Sequence, residues 1–185
     1  MEALTGRTDR IYLTGFMGSG KSTIGPILAN TIGYDFIDVD LMIEESEGMS
    51  VSEIFRTRGE EYFRVLERKL VMQISTSRKT VISLGGGAMI DPESYGHIRN
   101  TGIVIYLKLT PEQLFKRLRN KIDRPMLTDP QGGKLGEAGL RARILQLYNQ
   151  REPVYAAADI VIPTDESKVG LTVDRLAKKL LPLLR

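Results

Sequence analysis

Five short runs of apolar and β-branched residues punctuate the chain: Ile11-Tyr12-Leu13, Phe36-Ile37-Asp38-Val39, Thr80 to Leu84, Ile103 to Leu109, and Ile160-Val161-Ile162. Helix-like segments alternate with them, and such alternation predicts a parallel sheet covered by helices. Ser50-Val51-Ser52-Glu53 has the form of a capping box, and Thr110-Pro111-Glu112-Gln113 places proline at a first helical position, so helices are expected near 51–57 and 111–119. From Gly59 to Thr76 the apolar Phe63, Leu66, Leu70 and Ile74 recur at helical spacing, leaving Glu60, Arg64 and Glu67 off that stripe. Thr128 to Gly139 holds four glycines and a proline with almost no large apolar side chain, the composition of a mobile surface loop.

With 185 residues, one domain spanning 1–185 is expected, long enough to bury a core without covalent staples. There is no cysteine and a single histidine, which excludes disulfide, thiolate–metal and cysteine-nucleophile chemistry and argues against an imidazole-rich metal site. That histidine, His97, reads as a surface residue. The 26 basic and 23 acidic side chains leave a net charge of +3, too small an excess to suggest a nucleic-acid groove or a membrane face. The charged N-terminal stretch and the lack of a long apolar run point to a soluble, cytoplasmic protein.

The chemistry starts at Gly15-Phe16-Met17-Gly18-Ser19-Gly20-Lys21-Ser22, which matches G-x-x-x-x-G-K-[ST] between a strand and a helix. Such a loop turns backbone N–H groups toward one point. A lysine then reaches the outer phosphates, and a hydroxyl is available to Mg²⁺. Gly18, Ser19, Gly20, Lys21, Ser22 and Thr23 are therefore the candidate ATP-binding residues, with a kink or displaced helix start expected at Pro26. Asn120-Lys121-Ile122-Asp123 spells the guanine-reading N-K-x-D, but it follows a helix instead of closing a strand, and the D-x-x-G copy at Asp129 comes after it. A guanine switch is therefore disfavoured. If Phe36 to Val39 continues as a strand, Asp38 and Asp40 alternate onto one side beyond the sheet's C-terminal edge, one near the metal and one near an attacking hydroxyl.

With these motifs in order, and with Ile54-Phe55, Gly59-Glu60-x-x-Phe63-Arg64-x-x-Glu67, Gly85-Gly86-Gly87, Arg124-Pro125-Met126-Leu127 and Arg151-x-Pro153-x-Tyr155 following, the chain resembles the shikimate kinases from about Tyr12 to Tyr155. The resemblance implies a three-layer α/β P-loop kinase with a five-stranded parallel sheet in the order 2-3-1-4-5, a substrate-binding segment at about 38–70 and a lid at about 120–139. It implies ATP-dependent phosphorylation of the 3-hydroxyl of shikimate, in aromatic amino-acid biosynthesis, with ATP or ADP held together with Mg²⁺; a monomer is the default expectation.

By the same resemblance Arg64 and Arg151 form a carboxylate clamp, and Asp40 holds the ring hydroxyls and orients the nucleophile. Gly85, Gly86 and Gly87 let backbone approach the ligand, and Glu67 holds the arginine. Ser22 binds the metal directly and Asp38 through water. Lys21 and the lid residue Arg124 neutralise phosphoryl charge, and Arg117 packs near the adenine. Phe55 and Phe63 would line the ring pocket, although each reads individually as core. Met126 replaces the usual leucine after the lid arginine. Two other functions remain open: another small-molecule kinase of the same fold, such as one acting on gluconate, and a nucleotide-dependent switch or binding module that needs no acceptor.

Overall fold

The structure, a computed structural model, describes residues 7, 9–120, 125–128, 133, 135–164 and 168–184. In chain order the elements are β1 (Arg10–Thr14), α1 (Lys21–Ile32), β2 (Asp35–Asp38), α2 (Val39–Glu47), α3 (Val51–Ile74), β3 (Thr80–Ser83), α4 (Pro92–Thr101), β4 (Ile103–Lys108), α5 (Pro111–Leu118), α6 (Glu137–Ala156), β5 (Ile160–Pro163) and α7 (Val169–Leu180). Among the described residues the strands form one five-stranded sheet, order β2-β3-β1-β4-β5, and all four neighbour pairs in that order are parallel. Tyr12 pairs with Ile82 on one side and Val104 on the other, which makes β1 the central strand.

Side-chain alternation divides the core into two layers. Ile11 and Leu13 of β1 face α1 and α7, packing with Leu28, Val173 and Leu176. Tyr12 faces the opposite layer of α2, α3 and α4, together with Ile43, Val71 and Ile98. A third cluster joins Phe16 of the loop after β1 to α5 and α6 through Phe115, Leu118 and Ile144. It roots the phosphate loop in apolar packing at the sheet's C-terminal edge. There the chain reverses direction between β3 and β4 across β1, the position where open α/β sheets bind ligands.

The capping box expected at Ser50–Glu53 forms, and Thr110–Gln113 forms a second one. The two helical segments expected around 51–76 join as α3, with a break at Gly59, whose φ of 85° and ψ of 167° leave the helical region. Three expectations need correction. Helix α1 begins at Lys21 and runs on through Pro26. Gly25 lacks the Cβ that usually forbids helical geometry before proline, and a Cβ there would lie 2.3 Å from the Phe36 ring. The presumed loop ends at Gly136, because Glu137, Ala138 and Gly139 already belong to α6. His97 is half-buried, its Nε2 lying 2.5 Å from Ser75 Oγ. Since Ser75 Oγ donates to the Met72 carbonyl, the imidazole is the donor to Ser75.

Candidate active site

The phosphate loop is built from backbone. Gly20 caps α1 in a left-handed conformation with no side chain satisfying the helix end, and the first turn of α1 carries no acidic residue. The positive end of the helix thus faces the turn, as an anion requires. Lys21 Nζ donates to the Gly15 carbonyl at 2.9 Å, which folds the ammonium back over the loop. Ser19 is buried and Thr23 lies in the exposed first turn of α1. Arg117 Nη1 reaches the Gly18 carbonyl at 3.2 Å and its Nη2 the Thr164 carbonyl at 3.0 Å, tying the loop to the segment after β5.

Asp38 and Asp40 meet the site by a route different from strand alternation. The strand ends at Asp38, whose Oδ1 accepts from the Asp40 amide at 3.1 Å and thereby starts α2 at Val39. A carboxylate that caps a helix stops the extended chain it belongs to. Its other oxygen accepts from Ser22 Oγ at 2.7 Å, so Asp38 turns toward the phosphate loop. Asp40, in the first turn of α2, lines a cavity beside the loop.

That cavity, with a volume of about 480 Å³ open to solvent, is bounded by Asp40, Arg64, Gly86, Gly87 and Arg151, with Met17, Val51, Phe55, Phe63 and Met126 forming its apolar walls. Two guanidinium groups and a carboxylate in one lining suit a small hydroxylated acid. Phe55 and Phe63 pack on each other with centroids 5.0 Å apart, and Arg64 lies over both rings. Arg64 Nη1 is 2.7 Å from Glu67 Oε2, and Nη2 is 2.9 Å from Glu60 Oε1. Burial works against the Arg64 charge, but Glu67 and Glu60 outweigh it and hold the group charged.

Glu67 corrects the helical stripe read from the sequence. It is 2% exposed, and Phe63, Glu67, Val71 and Ile74 form the buried face, while Leu66 and Leu70 are only partly covered. Burial pushes its carboxyl up to about 7, with Arg64 pulling the other way and Asp40 adding to the rise. Its Oε1 makes no hydrogen bond and faces Gly85, where a Cβ would lie 2.1 Å from it and 2.8 Å from Asp40 Oδ1. At Gly87 a Cβ would come within 2.2 Å of Arg64 Nη1. These glycines are needed because charged side chains occupy the space beside them.

Arg151 completes the cavity from α6, its Nη1 3.2 Å from the Gly86 carbonyl. Met126 borders the cavity, and its carbonyl accepts from Arg143 Nε at 3.0 Å. Sequence reasoning passed over Met17 and Val51 as wall residues, because isolated apolar residues carry no local signal. Arg124 and the residues 121–123 of N-K-x-D lie outside the described residues. Among the described residues no cluster of three or more histidine and acidic side chains is placed to hold a metal alone. Ser22 and Asp38 fit a hard cation that takes its remaining ligands from phosphates and water, which is how Mg²⁺ commonly binds.

A family model described as shikimate kinase matches residues 17–182. The chain belongs to the shikimate kinase family. A curated relative named shikimate kinase, from Chlorobium phaeobacteroides, is 48% identical over 170 residues, covering 92% of this chain and 90% of its own. Among solved structures, a shikimate kinase from Bacteroides thetaiotaomicron superposes with a TM-score of 0.83 at 35% identity, covering 94% of this chain and 98% of its own. The shikimate kinase of Acinetobacter baumannii, in complex with shikimate, superposes with a TM-score of 0.84 at 28% identity over 99% of both chains. The strand order of this family member is the one the resemblance implied. No helix among its described residues is long and apolar enough to cross a membrane.

Proposed function

We propose that the chain transfers the γ-phosphoryl group of ATP to the 3-hydroxyl of shikimate, giving shikimate 3-phosphate and ADP. The observation that carries this reading is the junction at the start of α2. Asp38 faces Ser22 of the phosphate loop, while Asp40 lines a cavity that Arg64 and Arg151 also line. An acceptor bound there has its hydroxyl at the carboxylate and its own carboxylate at the guanidinium groups, close to the phosphoryl donor.

Arg64 and Arg151 clamp the substrate carboxylate by charge-assisted hydrogen bonds. Asp40 accepts a hydrogen bond from the 3-hydroxyl, orients its oxygen for in-line attack and takes up the proton as the new O–P bond forms and the bond to the ADP oxygen breaks. The glycines at 85–87 keep side chains out of the space that Glu67, Arg64 and the ligand share. Lys21 draws off charge from the phosphoryl group, joined in this reading by Arg124. Gly18, Ser19, Gly20 and Thr23 hold the phosphates through the loop and first helical turn, and Arg117 braces the nucleotide side. Mg²⁺, held by Ser22 and by Asp38 through water, neutralises phosphate charge when bound. In this reading the enzyme is a monomer acting in the cytoplasm.

Purified protein with Mg²⁺-ATP tests the reading by ADP release in the presence of shikimate, of gluconate, or of no acceptor, each repeated with GTP. Release that depends on shikimate and prefers ATP is expected. Release indifferent to shikimate would overturn the acceptor assignment.

A further inference from the structure

Arg151 and Tyr155 stand four residues apart on α6, and therefore on one face of the helix. Both are buried, at 7% and 1% exposure. The Tyr155 hydroxyl donates to the Gly86 carbonyl, the same oxygen that accepts from Arg151 Nη1 at 3.2 Å. A carbonyl oxygen has two lone pairs, so one peptide serves both donors. The two donors thus converge on one peptide behind the wall of the cavity. Gly86, Gly87 and Arg151 all line that cavity, whereas Tyr155 does not reach it.

Most of Tyr155 is ordinary core. Its ring packs against Tyr106, with centroids 5.4 Å apart and planes tilted by 47°. Phenylalanine would satisfy that packing. The hydroxyl is what needs a reason, and its partner is a loop peptide at the site. Burial pushes the phenol up to about 12, so it remains a donor through the neutral range. The peptide from Gly86 to Gly87 is planar and trans, so holding the Gly86 oxygen toward α6 sets the direction of the Gly87 N–H as well.

We propose that Tyr155 is a positioning residue for the acid end of the acceptor site: its hydroxyl fixes the Gly86–Gly87 peptide and, through the shared carbonyl, the Arg151 guanidinium. The inference rests on the acceptor reading given above. It deepens that reading by assigning part of the site's selectivity for a carboxylate to a side chain that never touches the substrate.

The test compares full-length wild type, Tyr155→Phe and Tyr106→Phe with shikimate and with its methyl ester as acceptors. Tyr106 is the control because it is a buried tyrosine on the same ring stack, while the Gly86 carbonyl takes its hydrogen bonds from Tyr155 and Arg151. Tyr155→Phe should raise the KM for shikimate about tenfold, the loss of one hydrogen bond to a site that handles charge, while leaving the KM for ATP unchanged. With the methyl ester the rise should shrink to under twofold, since the carboxylate charge is gone. Tyr106→Phe should lower the melting temperature without changing either KM.

A shikimate KM within twofold of wild type in Tyr155→Phe would overturn the proposal. An equal rise for acid and ester, an equal rise for shikimate and ATP, or a Tyr155→Phe chain that does not fold would do the same. Failure of the underlying reading would show elsewhere, as wild-type ADP release that shikimate does not stimulate.

Discussion

Two glycine-rich loops meet at the C-terminal edge of this sheet and use glycine for opposite reasons. Gly15, Gly18 and Gly20, after β1, have φ values of +142°, +80° and +102°, which other residues rarely adopt. None of Gly85, Gly86 and Gly87, after β3, has a positive φ. At positions 85 and 87 a side chain would collide with Glu67, Asp40 or the Arg64 guanidinium. The first loop is a backbone device that presents amides to an anion. The second is a clearing that lets charged side chains from α2 and α3 converge. The nucleotide half of the site is therefore local in sequence, and the acceptor half is assembled from distant segments.

The largest effect should come where the two halves join. Asp40→Asn keeps the size of the side chain but removes the proton acceptor, and kcat should fall by a factor of about 10² to 10⁴. Nucleotide binding should stay intact, since Asp38 and not Asp40 bonds Ser22. Steady-state kinetics with an independent nucleotide titration would check this, and a near-normal kcat would remove Asp40 from the chemistry.

Next in size are paired alanine substitutions in the two loops. Gly85→Ala forces a methyl against Glu67 and Asp40 and should cost about 1–3 kcal/mol of stability, with a raised KM confined to shikimate. Gly18→Ala strains the backbone by about 1–2 kcal/mol and should raise the KM for ATP. Denaturant melts and both KM values would show whether each variant damages its own half. If both variants raised the same KM, the division of labour would be wrong.

The smallest expected effect is a pH dependence. Folding raises the Glu67 carboxyl from its ordinary 4.5 to about 7, so between those values the folded state binds more protons than the unfolded one. Stability conferred through this group therefore falls as pH rises across that window and levels off above it. Glutamine cannot titrate. The melting temperature of Glu67→Gln minus that of wild type should thus climb by several degrees from pH 4.5 to 7 in calorimetric scans. Parallel curves would mean that Glu67 does not titrate in this range.

The same contrast explains what the sequence made legible. The phosphate loop could be read directly, because its residues are contiguous and its glycines serve local conformation. Sheet order came from the resemblance, since alternation alone implies parallel strands without ranking them. The acceptor half came from ordered motifs, because nothing local links Asp40, Arg64, Gly87 and Arg151. Where local rules were applied there, they misled. Strand alternation failed at Asp38, which caps a helix with its own side chain. The apolar stripe of α3 failed at Glu67, because an ion pair with Arg64 lets a carboxylate occupy a core position. Helix α1 nonetheless starts at Lys21 and continues through Pro26, with glycine as the residue before the proline.

Isothermal titration of Arg64→Ala against wild type, with shikimate and separately with a non-hydrolysable ATP analogue and Mg²⁺, tests the division between the two halves most directly. Shikimate affinity should fall about 10- to 100-fold with loss of a charged partner for the acid, while the nucleotide Kd stays within twofold. Equal losses for both ligands, or no loss for shikimate, would contradict it.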